Sequence, residues 1–373
     1  MDSLKLLCQC ISPVKNSEDL LSATNTQDFD WESVIYCSGG HLVTPALWFS
    51  LKKKGILPLL NQEAKNYLEL IYDLNLTRNE NITKQLLTLL PDLNAAGIEP
   101  LLLKGVASLF GDLYESPGIR VLGDMDILLP EEKLTIATKI LLDHGYSYTP
   151  GLHQEIVKEH RHLPAFVNDD YPVAIEIHRY PVAQKYTGWV NYESAYKGSS
   201  KILLGAGTVV LPSPEFRLLH NFCHCQLGDR AYKIGYINAR QMLEWVTLRD
   251  KYEKEFDWVS IQERVAKNDS IASWGGYFLA VERYFSQAMI PNTEVPLLAR
   301  FFMLRQQWGV KYTWYWRINS ILDQMLFFTE EAFSMLFFNF QRGPQHFVKA
   351  LKFIFSRFFS INWYKNKVFK PKN

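Results

Sequence analysis

Val121-Leu122-Gly123-Asp124-Met125-Asp126-Ile127-Leu128-Leu129, closed by Pro130, is the stretch whose reading decides the fold. Met125, Ile127 and Leu129 recur with the period of two that marks a strand, and Pro130 stops it. Successive side chains leave opposite faces, so Asp124 and Asp126 project together while the apolar set enters the core. Two carboxylates about 7 Å apart on one face repel each other unless a cation lies between them. A divalent ion answers this, and Mg²⁺ (or Mn²⁺) is held by one or two carboxylates plus substrate phosphates. Gly123, before the pair, lets a ligand approach the backbone. Taken alone, the same pattern also describes a strand end carrying two solvated acids.

The neighbouring sequence weighs toward chemistry. Upstream, residues 98–103 form a short apolar run suited to a buried strand, and Lys104-Gly105 leads from it into a helix over 106–114. A glycine turn entering a helix is a phosphate cradle, to which Lys104 adds a cation. Downstream, Glu131 to His144 has a helical period with Gly145 as its C-cap. Residues 173–178 then alternate as a third strand bearing Glu176 and His178 on one face. If that strand lies beside the first, Glu176 supplies a third carboxylate, the set that two-metal phosphoryl chemistry requires. His178 is a candidate for orienting a phosphate or the acceptor, and equally a satisfied structural histidine.

Further out, the chain reads as helical at both ends. Residues 30–54 and 62–90 show apolar spacing of three and four, as do segments near 214–228, 234–255, 258–267 and 271–289. The expected fold class is α+β, a small mixed sheet of nucleotidyltransferase type with N-terminal and C-terminal helical regions. The expected division is an N-terminal helical region (1–95), the core (96–212), a helical region (213–330) and a tail (331–373). The chain has 373 residues and is 47% hydrophobic, enough for an ample core, while its net charge of +1 argues against a general nucleic-acid binder. No sequence-specific nucleic-acid partner is therefore expected. Five cysteines, an odd number, fit a reducing cytoplasm. No signal peptide or membrane-spanning run is read, so the expected location is cytoplasmic.

The string LLLKGVASLFGDLYESPGIRVLGDMDILLP (101–130), with LLDHGY (141–146) and IEIH (175–178), resembles the uncharacterised nucleotidyltransferase family associated with bacterial polysaccharide biosynthesis clusters. That family belongs to the DNA polymerase beta-like nucleotidyltransferase superfamily. The likeness extends to FDWESVIYCSGGHLVTPALWFSLKKKG (29–55), LLHNFCHCQ (218–226) and YINARQMLEW (236–245), and so covers roughly residues 1–255. It implies transfer of a nucleoside monophosphate from an NTP to an acceptor that the sequence does not identify, with a link to cell-surface polysaccharide synthesis expected. Asp124, Asp126 and Glu176 match the metal-binding and catalytic carboxylates. Lys104-Gly105 stands where superfamily members usually carry Gly-Ser, and Arg120 matches a recurrent arginine that is a candidate phosphate ligand.

Other readings accompany this one. The unusual Lys-Gly turn admits a non-catalytic nucleotide-binding or regulatory protein with the same fold. His220 and His224, four apart on a helix near Cys223 and Cys225, suggest zinc, but no distant pair completes a four-ligand set; the resemblance, which includes both histidines, implies a role near the active-site cleft. Arg230 and Arg240 read as solvated or paired surface charges. From Ala332 onward there is no acidic residue, and residues 343–360 form a basic, aromatic amphipathic stretch. This stretch either packs on the body or makes peripheral contact with the inner membrane surface, as a membrane-associated assembly factor would.

Overall fold

The computed structural model describes residues 2–14, 17–25, 29–149, 161–288, 295–312 and 314–323; the tail read as amphipathic lies outside the described residues. Among these, the strands are β1 (Leu101–Leu102), β2 (Asp124–Leu128), β3 (Ser147–Tyr148), β4 (Phe166–Val167), β5 (Ala174–His178), β6 (Ser200–Leu204) and β7 (Gly207–Leu211). They form one sheet in the order β3-β4-β5-β2-β1-β7-β6. β2 runs parallel to β5 and β1 parallel to β7, while β1 and β2 are antiparallel, so the sheet is mixed and the class is α+β as expected.

The helices are α1 (Ser3–Ile11), α2 (Ser17–Thr24), α3 (Trp31–Gly40), α4 (Thr44–Lys53), α5 (Gln62–Ala95), α6 (Lys104–Phe110), α7 (Leu134–Asp143), α8 (Tyr192–Tyr196), α9 (Pro214–Phe222), α10 (Ala231–Ile234), α11 (Ala239–Tyr252), α12 (Trp258–Lys267), α13 (Ile271–Phe285) and α14 (Leu297–Lys311). The single helix expected over 30–54 is two. Gly39-Gly40 weaken its middle, Leu42 turns left-handed at φ +55, and Pro45 opens α4. Conversely, α5 runs past the expected residue 90 through Pro91, because Leu89, Leu90 and Leu93 continue its buried stripe. That stripe lies on the sheet against Met125, Ile127, Ile175, Val209 and Leu211, and forms the main core. Gly97, at φ +67, ends α5, with Ile98 N–H returning to the Leu93 carbonyl at 2.9 Å.

Strand β1 is shorter than its apolar run. Pro100 has no N–H to pair, and Lys104 turns the chain left-handed at φ +50, so only two residues are regular. The hairpin β6–β7, turning at Gly205, and the edge strands β3 and β4 were not read from the sequence. The described residues divide into two units, those within 1–230 with 238–301, and those within 231–237 with 302–323. The first contains the sheet and an aromatic cluster in which Trp245 meets Phe278 edge-on at 5.1 Å. In the second, Tyr232 packs edge-on to Phe302 at 4.9 Å and Tyr236 lies against Trp316. No helix among the described residues is long and apolar enough to cross a membrane.

Candidate active site

Strand register assembles the acids. Pairing β2 parallel to β5 sets Asp126 opposite Glu176, with Asp124 opposite Ala174. Met125, Ile127, Ile175 and Ile177 are buried on the other face, which fixes the register, since a one-residue slip would exchange carboxylates for core. Asp126 is 1% exposed. Its Oδ1 accepts from Lys104 Nζ and from His178 Nε2, the latter at 2.7 Å. Glu176 Oε2 lies 3.5 Å from the same imidazole nitrogen. His162, on a segment bridged to His178, brings its Nε2 to 4.0 Å from Glu176. Asp126, Glu176 and His178 thus present ligand atoms within 4.8 Å of one another.

The charges follow from this packing. Burial pushes the Asp124 carboxyl up, Asp126 beside it pushes it further, and it reaches about 6. Burial also acts against Asp126, but Lys104 and the His178 hydrogen bond outweigh it and hold the group well below the ordinary range. Glu176 is likewise held low against burial, chiefly by its hydrogen bond with His178. For Lys104, burial opposes the charge, yet Asp126 and Asp124 keep it raised. Burial first and Asp126 second weigh against the Asp124 charge, a cost that a divalent cation would relieve, and the Asp126 and Glu176 carboxylates, whose ligand atoms lie together with Asp124 on the same strand face, are the hard oxygen donors that Mg²⁺ or Mn²⁺ takes. The donor set fits such an ion.

The loop before β2 is clamped to α5. Asn75 Nδ2 donates to the Gly118 carbonyl at 2.7 Å, and Asn79 Nδ2 to the Pro117 and Arg120 carbonyls at 2.6 and 2.8 Å. Arg78 Nη1 donates to the Leu122 carbonyl and its charge acts on Asp124. Arg120 itself turns inward: Nε pairs with Glu244 Oε2 at 2.8 Å, and Nη1 donates to the Val121 carbonyl. Glu244 also accepts from Ser108 Oγ at 2.9 Å, and Arg217 Nη2 reaches Ser108 at 3.3 Å. Burial opposes the Glu244 charge, but Arg120 and Arg217 more than offset it. Helix α11 thereby locks α6, which carries Lys104, to the loop that carries Arg120.

Gly105 fits this arrangement because a Cβ there would come 2.4 Å from a Leu122 methyl. Around Gly123 the space is open. His220 and His224 line a cleft that Lys104, Arg217, Asn221 and Glu244 also border. His220 Nε2 donates to the Pro181 carbonyl at 2.8 Å, and burial lowers this imidazole to about 3, Lys104 adding to the effect. His224 sits on a widened π-helical turn, Cys223–Gly228, where burial again keeps the ring neutral. Cys223 and Cys225 are buried free thiols. Arg240 is half-buried and donates to the Val121 carbonyl at 3.1 Å.

The sequence singles out Asp124, Asp126, Glu176, His178, Lys104, Gly105 and Arg120. The structure brings the first five into one cluster, places Gly105 beside it, and pairs Arg120 with Glu244. It adds Arg78, Arg217 and Glu244. Glu244 carried a signal, since an acid within Met242-Leu243-Glu244-Trp245-Val246 interrupts an apolar run and needs a buried partner.

A model of the uncharacterised nucleotidyltransferase family matches residues 27–285. No curated protein and no solved structure matches the chain. The chain belongs to the uncharacterised nucleotidyltransferase family.

Proposed function

We propose that this family member is a divalent-metal-dependent nucleotidyltransferase that moves an NMP group from an NTP to an acceptor. The observation that supports it most is the β2–β5 register, which sets Glu176 beside Asp126 with Asp124 on the same face. Asp124, Asp126 and Glu176 would hold the ion. When bound, Mg²⁺ or Mn²⁺ supplies charge stabilisation to the transferring phosphoryl group. The remaining work is positioning and electrostatics. His178 fixes the Asp126 carboxylate, with its own Nε2 as donor. The Gly105 backbone and the nearby Arg78 would face the phosphates, with the Lys104 charge beside them held on Asp126. Arg120, engaged with Glu244, would support the Gly105 turn from beneath rather than meet substrate.

A second reading has one observation in its favour: Lys104 already neutralises Asp126, as a non-catalytic nucleotide-binding protein would allow. Transfer of label from α-³²P-labelled NTPs into host lysate fractions separates the two. Magnesium-dependent labelling, lost in Asp124→Asn, is expected, and a labelled cell-surface polysaccharide intermediate would identify the acceptor class. Binding of every NTP without label transfer would overturn the enzymatic reading.

A further inference from the structure

The Lys104 side chain occupies a position that invites a cation. Its backbone is left-handed at φ +50, where glycine would fold more easily, so the side chain is present at a conformational cost of about 1 kcal/mol. Its side chain is 13% exposed and its ammonium bonds Asp126 Oδ1. The same oxygen accepts from His178 Nε2, so both of its lone-pair directions are engaged. Only Oδ2 of Asp126 remains for a metal. A carboxylate that bridges two ions about 3.5–4 Å apart needs an oxygen free for each. We propose that the Lys104 ammonium is a resident cation of the carboxylate cluster, and that the site takes a single divalent ion through Asp124, the free oxygen of Asp126 and Glu176.

Charge balance agrees. Three ionised carboxylates face the Lys104 ammonium, and Arg78 adds a guanidinium whose charge couples to Asp124. With no nucleotide bound, one divalent ion already offsets the remaining negative charge, and a second would place excess positive charge among buried groups, which is costly. The inference rests on the metal-dependent reading above and sets the number of ions that reading involves.

The test is Mn²⁺ titration of the full-length, metal-stripped protein, with free Mn²⁺ counted by electron paramagnetic resonance. The wild type is expected to bind one Mn²⁺ per chain with a mononuclear spectrum. Lys104→Met, which frees Asp126 Oδ1, is expected to bind two, with the features of a spin-coupled pair. Lys104→Arg keeps a cation there and should stay at one. Two ions on the wild-type chain, or one on Lys104→Met, would overturn the proposal while leaving the metal-dependent reading intact. Should Lys104→Met fail to fold, the wild-type count decides by itself. No Mn²⁺ bound to the wild type would instead remove the metal-dependent reading, and this inference with it.

Discussion

Asp124→Asn and Asp126→Asn, two residues apart on one strand, are expected to move the stability of the metal-free protein in opposite directions. Asp124 has its folded-state value raised from 3.8 to about 6 by burial and by Asp126. A raised value means that the native state holds this proton more tightly than the unfolded chain. The ionised carboxylate therefore costs nothing below about pH 3.8, progressively more between about 4 and 6, and its full amount above 6. A shift of about 2 units corresponds to at most ~3 kcal/mol at pH 7.5, and to about half of that near pH 5. Asp124→Asn removes the charge and should recover up to this amount at pH 7.5 and close to none at pH 4. Asp126→Asn does the reverse. It leaves the Lys104 ammonium buried without its main partner, for a loss of about 3 kcal/mol. The assay is urea unfolding in EDTA, followed by tryptophan fluorescence at pH 4, 5 and 7.5. The reasoning fails if Asp124→Asn destabilises at pH 7.5, or if its gain is the same at pH 4 as at pH 7.5.

Three further outcomes can be checked. Glu244→Gln removes the counter-charge of buried Arg120 and Arg217, so thermal and urea unfolding should show a loss of about 3–5 kcal/mol, with label transfer falling as the Gly105 turn loosens. His220, held neutral at about 3 against 6.5 when unfolded, gives stability that is full above pH 6.5 and lost as pH falls. His220→Gln should therefore shrink the stability lost between pH 7.5 and pH 5 by about 2 kcal/mol, measured from paired urea curves. Gly118→Ala drives a Cβ to 2.8 Å from the Tyr72 ring, and a loss of about 1–3 kcal/mol is expected. Adding Tyr72→Leu should recover most of it in a double-mutant cycle, and independent, additive losses would refute the clamp.

The sequence by itself determined the strand that carries Asp124 and Asp126, the helix that ends at Gly145, and the strand that carries Glu176 and His178. These are legible because period-two alternation, a stopping proline and a left-handed glycine are local effects. Tyr146 N–H returning to the Leu141 carbonyl at 3.0 Å is the cap that Gly145, at φ +80, makes possible. Short edge strands such as β3 and β4 carry too few residues to show a period, and α5 outran its proline because burial of Leu93 outweighed a local break. Tertiary structure alone decided that β5 pairs parallel with β2, which turns three scattered acids into one cluster. It also decided how each cation is used: Arg120 belongs to Glu244, more than a hundred residues away, and Lys104 belongs to Asp126. Spacing along a chain can nominate a charged residue, but its partner is set by which buried surfaces close together. In the low-dielectric interior so formed, that choice of partner governs the charge each group keeps.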